Sequence, residues 1–124
     1  MPRVAQFIVI PESDTAFTLP DPANGLNDRH FLNIRLPNVD AGARAVLAFR
    51  VNPGSDESVR LVININNTNV VNVTFTSDPQ RSWHEIVPRN ILMAEGNSLD
   101  VAVVGSGSIQ VSDIILFYQA NIPG

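Results

Sequence analysis

The chain has 124 residues, of which 44% are hydrophobic and 16% are charged, so it is long enough to bury one globular core unaided. The absence of cysteine and lysine excludes disulfides, thiolate metal sites, thiol nucleophiles and Schiff-base chemistry. A formal net charge of -4, singly scattered arginines and the lack of a long apolar stretch predict no nucleic-acid partner and no membrane span. We therefore expect a single domain over residues 1–124, while the compartment stays open.

Short strands separated by turns are predicted in the first half of the chain. Residues 6–10 and 15–19 are short apolar runs, and residues 21–28 are rich in turn formers. Residues 30–36 alternate, with Leu32, Ile34 and Leu36 on one face and Phe31, Asn33 and Arg35 on the other. Residues 44–51 also alternate, which predicts four core positions: Ala45, Leu47, Phe49 and Val51.

The clearest element is a hairpin in residues 60–76, whose two strands alternate apolar and polar side chains. A three-residue loop, residues 67–69, would place three apolar pairs on one face: Leu61 with Phe75, Ile63 with Val73, and Ile65 with Val71. The same register would place Asn64 opposite Asn72 on the polar face. A two-residue loop would lose this match, so the sequence favours the longer loop.

The second half continues the β pattern. Residues 82–87 are a predicted strand around Trp83, residues 88–94 favour a short helical turn, and residues 99–104 alternate with Leu99, Val101 and Val103 inward. The segment 105–107 is interpreted as a hairpin loop, because it lacks the strand-to-helix context of a phosphate-binding loop. Residues 109–119 are the longest predicted strand, with a bulge near Ser112 and Asp113. About eight or nine strands in all predict an all-β fold, an antiparallel β-sandwich or jelly roll.

Residues 58–119 also contain an ordered set of motifs. An asparagine-bearing strand pair comes first, then Trp83-His84-Glu85-Ile86-Val87-Pro88, then Leu92 with Glu95-Gly96-Asn97, and last the strand 109–116 with Asp113 before its apolar run. This order resembles the second half of galactose-binding-like jelly-roll domains, which include many carbohydrate-binding modules and the sugar-binding domain of family-two glycoside hydrolases. The resemblance implies the jelly-roll fold. It assigns no binding residue, because the ligand loops of these domains vary, and residues 1–52 show no matching motif.

Candidate ligand-binding residues lie in the hairpin and the tryptophan strand. Asn64 and Asn72 offer amides, Arg81 a guanidinium, His84 an imidazole, and Trp83 a ring that would stack on a sugar if exposed. Trp83 can also be a core residue between the sheets, and the asparagines can also be a solvated face. Both interpretations stay open.

Metal binding and catalysis are not predicted. His30 and His84 each lack a second histidine or a carboxylate at ligand spacing, and no loop is dense in acidic residues, so we predict no metal site and no cofactor. Structural calcium, which some jelly-roll modules hold, stays open. His84 and Glu85 point to opposite faces of a strand, and no nucleophile-elbow motif occurs, so we expect no enzyme.

Two functions fit the sequence. The first is a non-catalytic, lectin-like carbohydrate-binding module with a glycan as its partner. The alternative is a structural module that forms homo-oligomers through an apolar outer sheet face. Six predicted outward positions favour this alternative because they are apolar: Val46, Ala48, Val62, Val70, Ile86 and Val104.

Overall fold

The described part of the chain, residues 2–10, 16–54, 57–76 and 79–122 of a computed structural model, forms nine strands in two packed antiparallel sheets. The strands are β1 (Arg3–Ile10), β2 (Ala16–Leu19), β3 (Asp28–Ile34), β4 (Ala45–Pro53), β5 (Val59–Ile65), β6 (Thr68–Phe75), β7 (Arg81–Val87), β8 (Asn97–Gly105) and β9 (Ile109–Asn121). A five-stranded sheet has the order β1-β9-β4-β7, with β2 also paired to β9, and a four-stranded sheet has the order β3-β8-β5-β6. The predicted all-β sandwich is confirmed, although Thr15, the predicted start of the second strand, lies outside the described residues.

The inward side chains of both sheets form one apolar core, because side chains alternate along each strand. Leu47 from the five-stranded sheet and Ile63 from the four-stranded sheet are both fully buried. All seven inward positions predicted for β4 and β8 are buried: Ala45, Leu47, Phe49, Val51, Leu99, Val101 and Val103.

β3 departs from the predicted alternation because it contains a bulge. Its pairing with β8 continues from Asp28 to Phe31 and then shifts before Ile34, and Asn33 has a φ of 59°. Phe31 and Ile34 consequently both pack against the core, while Leu32 is 67% exposed. The prediction that Leu32 and Ile34 share one face is wrong.

The turn between β5 and β6 has two residues rather than the predicted three. Asn66 and Asn67 have φ values of 50° and 64°, and Ile65 pairs with Thr68 on either side of them. Two successive residues with positive φ are what a tight hairpin turn requires, and asparagine tolerates that conformation.

A bulge then restores the predicted faces in a different register. Asn64 pairs with Asn69 and Asn72 pairs with Val62, so the predicted pairing of Asn64 with Asn72 is wrong. The extra residue is Val70, which shifts β6 by one position and so returns its apolar side chains to the core side. Five of the six predicted core residues of the hairpin are buried and the sixth is half-buried: Leu61, Ile63, Ile65, Val71 and Phe75, with Val73 the exception.

A buried amide network holds this turn against the neighbouring segment. Asn97, only 1% exposed, accepts from the Met93 N–H at 2.9 Å and donates to the carbonyls of Ile34 at 2.9 Å and Met93 at 2.6 Å. Asn66 donates to the Asn97 side-chain oxygen at 2.9 Å and accepts from the Ser98 N–H at 2.8 Å. Because buried polar groups must be paired, these bonds favour a turn that presents Asn66 to Asn97.

Two further predictions are wrong and one is confirmed. The prediction of a short helical turn over residues 88–94 is wrong, because these residues contain no helix. Among the described residues, no helix is long and apolar enough to span a bilayer. The prediction of a hairpin loop over residues 105–107 is also wrong, because this segment joins β8 to β9, which lie in different sheets. A Cβ at Gly107 would overlap the Glu57 carbonyl, so only glycine fits at this position of the connection. The bulge of β9 is confirmed at Asp113, which has a φ of 52°, where pairing with β4 shifts between Ala48 and Arg50.

Candidate ligand-binding site around His30

A row of polar side chains crosses the outer face of the four-stranded sheet. His30 of β3 pairs with Asp100 of β8, Asp100 pairs with Asn64 of β5, and Asn64 pairs with Asn69 of β6. Asn69 Nδ2 donates to Asn64 Oδ1 at 3.0 Å. These four residues, named the polar row below, present donors and acceptors on neighbouring strands that lie about 4.8 Å apart.

His30 lies between two carboxylates. Its Nδ1 is 2.5 Å from Asp100 Oδ1 and its Nε2 is 3.3 Å from Asp28 Oδ2, while its side chain is 55% exposed. The hydrogen bond to Asp100, helped by the negative charges of Asp100 and Asp28, raises the pKa of His30 above its ordinary value. A neutral imidazole has one N–H, so only the protonated ring can donate to both carboxylates at once.

Clefts open on both sides of His30 along β3. One, of about 310 Å³, lies between β2 and the start of β3 and is lined by Phe17, Leu26 and Arg29 among others. The Arg29 guanidinium carbon is 4.9 Å from the centroid of the Phe17 ring and 5.2 Å from that of Phe31. The other cleft, of about 580 Å³, lies between β1 and the rest of β3 and also includes His30 in its wall. His30 is therefore where the two clefts and the polar row meet.

The five site residues predicted from sequence lie on three surfaces. Asn64 and Asn72 both face outward on the four-stranded sheet, so the structure brings these two to one face. His84 faces outward on the opposite sheet, beside Ala48. Arg81 and Trp83 lie together at the edge of the sandwich formed by β6 and β7, away from the polar row.

Trp83 is half-buried against the core. Its ring meets Phe75 edge-on with 5.6 Å between the ring centroids, and its Nε1 donates to Glu85 Oε1 at 2.8 Å. The Arg81 guanidinium carbon is 5.6 Å from the Trp83 ring centroid. This environment fits the core interpretation of Trp83 better than that of an open stacking platform.

Four residues of the candidate site were not predicted from sequence: Asp28, His30, Asn69 and Asp100. Asp28 was predicted to lie in a loop, but β3 begins at Asp28, so Asp28 and His30 share a face as residues two apart on a strand. No carboxylate at ligand spacing from His30 was predicted, whereas the structure places the carboxylates of Asp28 and Asp100 beside its ring. Asp100 is 70 positions from His30 in sequence and meets it only through the pairing of β3 with β8. Within the described ranges, no group of three or more histidine, cysteine or acidic side chains is arranged to hold a metal ion.

Part of the outer face of the five-stranded sheet is apolar. One row across it contains Phe7, Phe117, Val46 and Ile86, and the next contains Val9, Ile115, Ala48 and His84. Phe7 is 62% exposed and Ile86 is 58% exposed, and the rings of Phe7 and Phe117 are 6.0 Å apart. The seven apolar residues of these rows are named the apolar band below. Only three of the six predicted outward apolar residues belong to it, because Val62 and Val104 lie on the other sheet and Val70 is the bulge residue.

Comparisons by sequence find no match, whether against protein-family models or against curated proteins. Solved structures do match, over nearly the whole chain. Dimeric latent PorU from Porphyromonas gingivalis superposes with a TM-score of 0.74 at 11% identity, over 98% of this chain. The chain spans only 13% of the length of PorU.

Two carbohydrate-binding modules match along almost their full length. The CBM36-1 domain of a multidomain xylanase from the hindgut metagenome of Trinervitermes trinervoides has a TM-score of 0.54 at 8% identity, over 98% of this chain and 99% of that one. The C-terminal CBM6 of LamC, a marine laminarinase from Zobellia galactanivorans, has a TM-score of 0.54 at 13% identity, over 93% and 99%. The resemblance to carbohydrate-binding jelly rolls is thus confirmed as a likeness of fold, and it extends into the first half of the chain.

Proposed function

We propose that residues 1–124 form a single, non-catalytic carbohydrate-binding module whose glycan site is centred on His30. The observation behind this proposal is the polar row, which places a histidine, a carboxylate and two amides in register across four strands beside a cleft. The likeness of the fold to carbohydrate-binding modules also supports a glycan as the ligand, although it does not identify which glycan.

The chemistry of the row suits sugar hydroxyls. Each hydroxyl both donates and accepts, and the amides of Asn64 and Asn69 and the carboxylate of Asp100 offer both kinds of partner at fixed positions. The exposed side chains of Leu26 and Leu32 beside His30 supply apolar surface for the faces of sugar rings. The carboxylates Asp28 and Asp100 would repel phosphates, so a glycan fits this face better than a nucleic acid.

A binding role is favoured over catalysis by the engagement of His30. Both of its ring nitrogens face carboxylates, so neither is free to take a proton from a nucleophile. The site is also exposed, and shallow exposed sites bind glycans weakly, with dissociation constants on the order of micromolar to millimolar.

Titration calorimetry against a panel of oligosaccharides tests the proposal. Asp100→Asn and Asn64→Ala should each weaken binding of any glycan that the wild type binds, by about tenfold, because the first replaces a carboxylate acceptor oxygen with an amide donor and the second removes an amide. Asn52→Ala is the matched control, since Asn52 is an exposed asparagine on the opposite sheet. Trp83→Ala and His84→Ala test the remaining sites predicted from sequence. Binding that is unchanged by Asp100→Asn but lost in Trp83→Ala would move the site to the β6–β7 edge.

Homo-oligomer formation is the second candidate function, and the apolar band favours it. Monomeric proteins rarely expose contiguous apolar surface of more than a few hundred Å². A second copy related by a twofold axis would cover one band with the other, and each Å² of apolar area buried would contribute about 25 cal/mol.

Size-exclusion chromatography with light scattering tests this second candidate. The wild type should have the mass of a dimer or larger assembly, and the double variant Phe7→Ser, Ile86→Ser should have the mass of a monomer. The control Val62→Ser, Val104→Ser makes equivalent changes on the four-stranded sheet and should leave the assembly intact. A monomer mass for the wild type at high concentration would contradict the proposal.

A further inference from the structure

Three clefts follow β3 from one end to the other. His30 lines both the cleft beside β2 and the cleft beside β1. Asn33 and Arg35 line both the cleft beside β1 and a third cleft that reaches Glu95 and Gly96. Because neighbouring clefts share wall residues, they follow one another along β3, and this row of clefts between Asp21 and Glu95 is named the β3 groove below.

The length of the groove exceeds a single sugar. β3 has seven residues, which span about 23 Å at the rise of an extended strand. The loop after Asp21 extends the groove at one end, and the turn at Glu95 extends it at the other. A ligand that fills the groove must therefore be an extended chain of several sugars.

The groove carries slightly more carboxylates than cationic groups. Its described wall residues include the carboxylates of Asp21, Asp28 and Glu95 and the guanidinium groups of Arg29 and Arg35, and Asp100 adds a fourth carboxylate where the polar row meets His30. Three of these four carboxylates already have a side-chain partner: Arg35 Nη2 is 3.5 Å from Glu95 Oε1, and the His30 ring lies between Asp28 and Asp100. A wall with this small excess of carboxylates repels a polyanion, and it leaves little unpaired negative charge to attract a polycation.

We infer that the ligand is a neutral, linear polysaccharide whose interior sugars lie along the β3 groove and cross the polar row at His30. This inference rests on the proposed glycan-binding function and adds the direction of the chain and its charge class. The alternative direction is across the sheet along the polar row, toward Asn72. The recessed floor favours the groove, since concave surface covers more of a ligand than a strand face does.

The test is calorimetry with cello-, xylo-, manno- and laminari-oligosaccharides, from disaccharide to hexasaccharide, with oligogalacturonate and chitosan oligomers as charged comparators. Affinity should rise with chain length for at least one neutral series, and reduction of the chain end should not change it. Leu26→Ser at one end of the groove and Arg35→Ala at the other should each remove most of this rise in affinity with chain length, so that each weakens binding of the hexasaccharide by about tenfold. Asn72→Ala should keep the full rise in affinity with chain length. Thermal melts of each variant identify any loss of fold.

If affinity does not depend on chain length, or if Asn72→Ala removes the rise in affinity while the two groove variants keep it, the direction along β3 is wrong although glycan binding stands. Stronger binding of a charged series would overturn the neutral class. Lack of binding by every glycan would overturn the proposed function, and this inference with it.

Discussion

The outer faces of the two sheets differ in chemistry although their inner faces are alike. Both sheets place alternating aliphatic and aromatic side chains in one shared core. Outside, the four-stranded sheet presents the polar row, whereas the five-stranded sheet presents the apolar band. Folding requires only the inner half of each alternation to be apolar. The outer half is free of that requirement, so the two proposals rest on its chemistry: glycan binding on the polar row, and self-association through the apolar band.

The largest expected effect comes from the shared core, where truncating a buried residue of either sheet should lower the free energy of unfolding by a similar amount. Leu47→Ala and Ile63→Ala should each lower the free energy of unfolding by about 2–5 kcal/mol, because both side chains are fully buried and leave a cavity. Their outward neighbours Val46→Ala and Val62→Ala should cost less than the inner residues. Urea unfolding at low protein concentration measures all four, and a cost for Val46→Ala equal to that of Leu47→Ala would mean that the outer face is covered within the chain itself.

A second effect should appear on one outer face only. If the apolar band binds a second copy, the melting temperature of the wild type should rise with protein concentration, since association stabilises the folded state by about 2.7 kcal/mol at roughly 100 times the dissociation constant. Phe117→Ser should abolish this dependence, while Val104→Ser, on the other sheet, should not. Calorimetric scans over a wide range of protein concentrations measure this dependence. A melting temperature that does not change with concentration would show that the apolar band does not bind a second copy.

A pH effect should be specific to the polar face. Because the pKa of His30 is raised in the folded state, its pairing with Asp100 and Asp28 contributes stability that is full below the ordinary histidine pKa of about 6.5 and is lost as pH rises through the raised pKa. The stability difference between wild type and His30→Gln should therefore shrink from pH 5.5 toward alkaline pH. Titration of the His30 ring signals by NMR should show a lower pKa in Asp100→Asn. An unchanged His30 titration in that variant would remove Asp100 as the cause.

The smallest effect is expected for exposed asparagines on either face. Asn72→Ala on the four-stranded sheet and Asn52→Ala on the five-stranded sheet should each change the free energy of unfolding by less than about 0.5 kcal/mol. Chemical denaturation provides the measurement. A larger loss for Asn72 alone would show that the polar face is structural rather than available to a ligand.

The strand pattern and the two-sided character of the sheets were predictable from the sequence. Alternation in β4, β5 and β8 identified the buried residues correctly, because core packing imposes a period of two that is visible residue by residue. The bulge in β9 was visible for the same reason, as a break in that period at Asp113. The bulge in β3 was not, since Leu32 is apolar and leaves no break in the pattern.

The turn of the hairpin and the candidate ligand-binding site could not be predicted from local sequence, because both depend on contacts between distant segments. Residues 66–72 permit two registers with the same buried faces, and the bonds of Asn66 to Asn97 and Ser98 favour the shorter turn. Likewise, His30 gains its partner Asp100 only because β8 pairs with β3, and the outward valines divide between two faces only because β4 and β5 lie in different sheets. Local periodicity determines which side of a strand is buried. Which strands become neighbours, and so which polar side chains meet, is decided by the packing of the whole chain, because strand pairing joins residues that no local pattern connects.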